Sequence, residues 1–395
     1  MTLGFARGAG FVAAAVVLGS VIVPGVAAAA GTCSGPQGVY QSGSWAQNLI
    51  DAPRIWPLAN GTGVTVAVLG TGVDGGNPQL TGQLDAPVQR TAGYGGAADC
   101  AGYGTFDAGI VAAQPNSRTT FAGIAPGARI LPVRYTDLTG TSAGDPDDLA
   151  GAIGEAVSDG ANVILIAVPA ASDSANLRNA VRQAYNAGDV VVSPAVGGDG
   201  AVSYPTADAR VLGVGAVNQS GAAVKAESGD YIKLAAPGAD LVSTAARTNG
   251  AVGQIWQLQD PSFASAAYVA GVVALLKSYR PGLTPAQIEA RLTLTATRKS
   301  TGQDPQLGWG VLDAYDAVTA ELPADATDPS GRRAGAAGAV APAASRAAAP
   351  PPYRIAGLIT ILGLLVAGGA LVAAVTIRRG RARRWRLGTG RVPLG

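Results

Sequence analysis

The chain has 395 residues, 48% hydrophobic and only 14% charged, enough for one large core plus accessory segments or for two domains. Its net charge of +2 is uneven: seven arginines and no acid follow residue 377, leaving 21 basic against 26 acidic residues before it, a balance of −5. A mildly acidic body with a basic tail argues against a nucleic-acid-binding domain, which carries its basic clusters on the body, while the 56 glycines fit either tight turns and close packing or a biased genome.

In chain order, Arg7 precedes an apolar run from about Phe11 to Val26, closed by four alanines, Ala27 to Ala30. A positive start, an apolar stretch and an A-x-A site make residues 1–30 a signal peptide, with an uncleaved anchor helix as the alternative. Residues 31–322 form one globular stretch. Within it, Val64–Leu69 reads as a buried strand ending in Gly70-Thr71-Gly72, and Ala128–Arg134 as a second. Leu149–Val157 reads as a helix, Asn162–Val168 as a strand, Leu177–Ala187 as a helix and Val190–Val192 as a strand. Val211–Val217 and Ile232–Ala235 are two further strands, and Ser265–Tyr279 is an apolar helix suited to the centre of a fold. Strand–helix alternation with runs apolar on both faces predicts an α/β class, a parallel sheet covered by helices.

Residues 323–354 are rich in Ala, Pro and Gly, with Ala-Pro-Pro-Pro at 349–352, and read as a linker of partly polyproline stiffness. Ile355–Ile377 is an uncharged stretch whose length, at 1.5 Å per residue, is about 34 Å, enough for a transmembrane helix. The arginines that follow at once, from Arg378 to Arg386, place residues 378–395 as a basic cytoplasmic tail. The expected topology is a single-pass cell-membrane protein with its globular domain extracytoplasmic. Two cysteines, Cys33 and Cys100, fall in the exported part, and an even count there suggests one disulfide, two unpaired thiols being the alternative. The bridge would pin the mature N-terminus near Tyr103.

Four ordered segments resemble the subtilases, the subtilisin-like serine proteases. Val66-Ala-Val-Leu-Gly-Thr-Gly-Val73 stands where the family has a strand ending in Asp-Thr-Gly. Gly102-Tyr-Gly-Thr-Phe-Asp-Ala-Gly-Ile110 stands where it has Gly-His-Gly-Thr and then Val-Ala-Gly. Val190-Val-Val-Ser-Pro-Ala-Val-Gly-Gly198 stands for the strand end closing in Gly-Asn, and Asp260-Pro-Ser-Phe-Ala before Tyr268-Val-Ala-Gly271 for Gly-Thr-Ser and a long buried helix. Phe121–Arg129 and Leu307–Asp313 also match, so the likeness covers nearly all of 45–320. The signal peptide, the cysteine after it, the cysteine before the Gly-His-Gly-Thr position, the Pro-rich linker and the C-terminal span resemble the mycosins in particular. These are the subtilases that accompany type VII secretion machinery in actinobacteria. The implied fold is a subtilisin-like three-layer parallel sheet.

The resemblance also assigns a catalytic set that is largely missing here. A subtilase serine loses its proton to a histidine, which an aspartate holds in the right tautomer. This chain has no histidine at all. The aspartate position is Gly70, with Asp74 four residues on and beyond the strand end. The histidine position is Tyr103, whose phenol, with an ordinary pKa near 10, is a poor base at neutral pH. The oxyanion-hole asparagine position is Gly198, which offers no side-chain donor, and Asp199 beside it has the wrong charge. Ser262 is the candidate nucleophile when aligned from Asp260-Pro-Ser-Phe-Ala, whereas spacing back from Tyr268-Val-Ala-Gly271 puts Phe263 there. Asp260 and Pro261 would also make an ordinary helix start. A related family, the sedolisins, uses glutamate and aspartate in place of histidine; Asp107, four residues after Tyr103, could be the aspartate half, or could be buried and hydrogen-bonded to Tyr103 or to backbone.

No metal or cofactor is implied: Asp145-Pro-Asp-Asp148 reads as a helix N-cap, and the Gly-rich stretches lack a Gly-Lys-Ser/Thr ending. The expectation is therefore a membrane-anchored, inactive subtilase homologue with a structural or peptide-binding role. Its partners would be type VII secretion membrane components or secreted peptides, and no nucleic acid. The alternatives are an acid endopeptidase using Ser262 with Asp107, and a cell-surface module unrelated to secretion.

Overall fold

Runs of Val, Ile and Leu that are apolar at every residue find burial for both sides only in a sheet covered on both faces. The computed structural model describes residues 33–323 apart from 91–97, 138–143, 199, 226, 260, 299 and 300, all within one compact unit, Met1–Ala336. The segments read from sequence as a signal peptide, a linker, a span and a basic tail lie outside the described residues, save for residue 323 of the linker. In order the elements are β1 (Gly38–Val39), α1 (Trp45–Ile50), α2 (Ala52–Ile55), β2 (Thr65–Gly70), β3 (Val88–Gln89), α3 (Tyr103–Ala112) and β4 (Arg129–Arg134). Then follow α4 (Pro146–Ser158), β5 (Val163–Ile166), α5 (Ala175–Ala187), β6 (Val190–Pro194), β7 (Leu212–Val217) and β8 (Ile232–Pro237). The last are β9 (Leu241–Thr244), β10 (Gln254–Leu258), α6 (Ser265–Tyr279), α7 (Pro285–Thr295) and α8 (Ala314–Thr319).

Seven strands form one parallel sheet in the order β3-β4-β2-β5-β6-β7-β8. In β2, Val66 is registered with Ile130 of β4 and with Val163 of β5. Side chains alternate across the sheet: Val66, Val68, Val163 and Leu165 pack against α3 and α6, while Ala67, Leu69, Ile164 and Ile166 pack against α4 and α5. The result is the expected three-layer α/β fold. The predicted strands and helices of this sheet are all present, with ends moved by a few residues.

Helix α6 runs through the centre and is buried from Ser265 to Leu276. Each fully buried Val or Leu there contributes about 1.5–3 kcal/mol. Among the described residues the stretch long and apolar enough to cross a bilayer is 262–279, and 78% of it is buried, so it is this core helix. Asp145 caps α4 by accepting from the amides of Asp147 and Asp148, with Pro146 at the first helical position. The acidic turn is thus an N-cap, as read. The start of α6 differs from expectation: a 3-10 turn over Ser262–Ala264 precedes it, while Asp260 is outside the described residues.

A second sheet, antiparallel β1-β10-β9, was not expected from periodicity, because its strands are short and one is only two residues long. It lies over the start of α3. Cys33 and Cys100 are bridged, with their Cα atoms 4.5 Å apart, and the Ser34 amide donates to the Cys100 carbonyl at 2.8 Å. A Cβ on Gly102 (φ +84°) would meet the Trp256 ring at 2.9 Å and the Ser34 Cβ at 3.3 Å, so this turn needs glycine for both conformation and space. The bridge closes a separation of 67 residues. Replacing both cysteines with serine is therefore expected to cost about 4 kcal/mol by loop entropy. Thermal unfolding should show that loss, and limited proteolysis should show faster cleavage between residues 33 and 40; unchanged values in both would contradict the pinning role.

Candidate functional site

Gly70 ends β2 in buried surroundings, and a Cβ there would stand 3.0 Å from the Cβ of Ala167, tighter than ordinary contact. The position thus lacks a carboxylate and is also crowded against one. The next residue turns the chain toward α3: the Thr71 hydroxyl donates to Asp99 Oδ1 at 2.8 Å and accepts from the Gly104 amide at 3.2 Å. Asp99, 1% exposed, also accepts from the Gly102 amide at 2.7 Å, the Thr105 amide at 2.8 Å and the Thr105 hydroxyl at 2.7 Å. It therefore satisfies the first free N–H groups of α3 where the helix dipole is positive. Burial pushes its carboxyl up to about 6, against the lowering effect of those hydrogen bonds. Arg134, buried at the end of β4, donates to the carbonyls of Thr71 and Ala98 and pairs with Asp137 at 3.6 Å, closing the same corner.

Tyr103 begins α3 inside an aromatic cluster. Its ring centroid is 4.4 Å from that of Phe263 and 5.5 Å from that of Trp256, the latter edge-on at 88°. Phe106, one turn on, lies 6.0 Å from Trp256 and 6.1 Å from Phe263. These separations are in the range where aromatic pairs attract beyond simple burial. The contact to Tyr103 made from the start of α6 is thus by the Phe263 ring. Ser262, 2% exposed, is the first residue of the 3-10 turn, and its Cα is 3.4 Å from where a Cβ on Gly238 would lie.

Gly198 is exposed past the end of β6, with nothing within 4 Å of a Cβ placed there. Its loop is anchored by Glu227, a buried carboxylate accepting from the amides of Gly197 (2.5 Å) and Ser203 (2.8 Å), the Ser203 hydroxyl (2.7 Å) and the Tyr231 hydroxyl (3.0 Å). Asp199 is outside the described residues. Asp74 accepts from the amides of Gly76 and Arg247, at 2.8 Å and 2.6 Å, tying its own loop to the turn after β9.

Residues 61–310 match the model of the subtilase family, Peptidase_S8. The chain belongs to the subtilase family. It is 32% identical to Mycosin-1 of Mycolicibacterium smegmatis, over 73% of this chain and 75% of that protein. It is 33% identical to Mycosin-3 of Mycobacterium tuberculosis, over 71% and 72%. The crystal structure of MycP1 from the ESX-1 type VII secretion system aligns with a TM-score of 0.64 at 30% identity, covering 74% of this chain and 90% of that one. Within the subtilases, then, this is a mycosin-type chain.

Of the residues expected from the sequence resemblance, the fold brings Tyr103 and Phe263 into contact and places Ser262 beside Gly238. It does not join Asp107 to Tyr103. Asp107 is fully buried where α3 faces α6, yet neither carboxyl oxygen has a hydrogen-bond partner, so the expected bond to Tyr103 or backbone is not made. Its burial, reinforced by the charge of Asp99, raises the carboxyl well above the usual range. The hydroxyls of Ser265 and Tyr268 on α6 are likewise buried without partners. Asp99, Arg134, Trp256 and Glu227 were not singled out in the sequence. Only Asp99, directly before a bridged cysteine and the Gly-x-Gly-Thr turn, had a local signal.

Two outcomes follow. Asp107→Leu, which keeps the shape and removes the unpaired carboxyl, is expected to raise stability by about 1–3 kcal/mol in thermal or urea unfolding; a lower midpoint would mean that the carboxyl is held by a group of its own. Asp99 has a folded pKa of about 6, above its unfolded value near 3.9. The folded state then binds the proton more tightly, so the stability contributed by Asp99 is fully present below about pH 4 and is lost, by roughly 3 kcal/mol, as pH rises through about 6. Asp189, raised to about 6 by its own burial, titrates in the same window. The test is therefore the difference between the pH profiles of the native protein and Asp99→Asn: the variant should lose much of the slope, and an identical slope would refute the assignment.

Proposed function

We propose that this mycosin-type subtilase is a catalytically inactive, membrane-anchored member of a type VII secretion apparatus, acting as a structural or peptide-binding component. The observation that carries the reading is the packing of Tyr103 on Phe263 and Trp256 at the start of α3, in a chain without histidine. Proton transfer from a serine needs a base within hydrogen-bond reach with a pKa suited to the working pH. An apolar ring faces the tyrosine instead. Gly70 provides no orienting carboxylate, and Gly198 no oxyanion donor, whose loss costs about 10²–10³ in rate in other serine proteases. The link to secretion rests on the ESX-1 origin of MycP1 and on the export and anchor signals in residues 1–30 and 355–395.

The acid-protease alternative would need Asp107 beside the Ser262 hydroxyl, and the unpartnered Asp107 carboxyl weighs against it. Full-length protein, incubated with casein and with a fluorophosphonate probe across acidic and neutral pH, is expected to show no hydrolysis above background and no labelling, with Ser262→Ala indistinguishable. Isolated from its own membranes, it is expected to bring down type VII secretion membrane components. Labelling at Ser262 that the alanine variant abolishes would overturn the inactive assignment; purification without those components would favour an independent surface module.

A further inference from the structure

A cleft of about 600 Å³ lies between α1–α2 and the segment 115–124, lined by the third turn of α3 and by Tyr268 of α6. It is separate in sequence and contacts from the Tyr103–Phe263 cluster, and its size is that of a ligand site. Two hydrogen bonds hold its walls at a fixed spacing: Gln47 Nε2 donates to the Ala122 carbonyl, and Trp56 Nε1 to the Ile124 carbonyl, both at 2.9 Å. The cleft is thus formed before anything enters it, which lowers the ordering cost of binding.

Its chemistry is one-sided. The lining contains a carboxylate, Asp51, and neither lysine nor arginine. Arg54, close by in sequence, has its guanidinium 3.5 Å from the centroid of the Tyr315 ring and is engaged there. Asp51 has left-handed backbone (φ +46°), and its carboxylate takes no hydrogen bond from the helix it precedes. Trp56 offers an indole already oriented by its Nε1–H bond. Tyr268, 2% exposed, closes the inner wall, and its hydroxyl is buried on the side of Asp107, away from the opening. A carboxylate, an aromatic face and the amides of Asn48 and Asn116 complement a flat, donor-rich cation. A guanidinium fits that set better than a compact ammonium, because it can stack on the indole while its N–H groups reach the carboxylate.

We propose that this cleft captures an arginine side chain presented by a partner polypeptide. The test is calorimetric titration of full-length protein with N-acetyl-L-arginine amide and with its neutral isostere N-acetyl-L-citrulline amide. The arginine probe is expected to bind, and the citrulline probe at least about tenfold more weakly, the loss of one charge-assisted hydrogen bond. Asp51→Asn, a residue type that tolerates the left-handed backbone, should remove most of that discrimination. Tyr268→Phe, which removes a hydroxyl buried on the side of Asp107, should leave the affinity for the arginine probe unchanged. No binding, equal affinity for the two probes, discrimination that survives Asp51→Asn, or uptake of calcium ions with exclusion of the arginine probe would each overturn the proposal. Neither variant touches the Tyr103–Phe263 contact, so the outcome is independent of whether the chain cleaves peptides.

Discussion

The candidate site is organised by the way the first turn of α3 is held. Four donors converge on the Asp99 carboxylate: two backbone amides of the turn, the Thr105 hydroxyl and the Thr71 hydroxyl at the end of β2. A helix start buried under a second sheet cannot leave its N–H groups to water, and one buried acid answers the need while joining strand to helix. The neighbouring Cys33–Cys100 bridge and the Arg134 contacts to Thr71 and Ala98 lock the same corner. Tyr103 therefore has little freedom, and where its ring lies decides what the cleft can do. A carboxylate is present at this corner, but its lone pairs are given to backbone and hydroxyl donors.

Under the inactive reading, that constraint makes the proposed departures from the subtilase pattern interdependent. A tyrosine at the head of α3 is accommodated because Phe263 and Trp256 give it apolar surface, with Phe106 completing the cluster. A strand end without a carboxylate is accommodated because Ala167 fills the space beside Gly70. In contrast, a Cβ on Gly198 would meet nothing within 4 Å, so space does not require glycine there. Reversing one position alone would leave an imidazole against phenylalanine, or an aspartate pressed on alanine. The inactive reading thus rests on a packed set of residues and on the missing imidazole, more than on any single substitution.

Much of the scaffold was legible in sequence because burial on both faces imposes uniformly apolar strands. Val66-Ala-Val-Leu69 and Val163-Ile-Leu-Ile166 admit few other readings, and the α6 run from Ser265 announces a helix surrounded by protein. The antiparallel sheet was not legible: β1 has two residues, and β10, Gln254–Leu258, alternates weakly and has only Ile255 buried among its residues. Trp256 was missed for the same reason, since its ring partners Tyr103 and Phe106 on α3 stand 153 and 150 positions before it in sequence. Helix α7 did carry a local signature, a Thr284/Gln287 capping box with Pro285 between, that apolar periodicity alone passes over. Asp107 shows the opposite failure. Spacing placed it one turn from Tyr103, but spacing is silent on whether the two side chains bond, and helix geometry turns Asp107 toward α6.

The interface of α3 and α6 also shows what such a core can carry. Asp107, Ser265 and Tyr268 leave polar atoms unpaired in its interior, and each such group costs stability that an apolar residue would not. The cost is tolerable because each helix is packed closely against its other neighbours: a Cβ on Gly271 of α6 would stand 2.8 Å from Ile124, and one on Gly109 of α3 would collide with Ser243 and Thr244. Ser243 and Thr244 in turn donate to the carbonyls of Phe106 and Thr105, so β9 stiffens α3 along the side away from α6. A scaffold braced on both sides can hold these unsatisfied polar atoms in its interior without collapsing around them, whereas in a softer core they would have found partners within the protein.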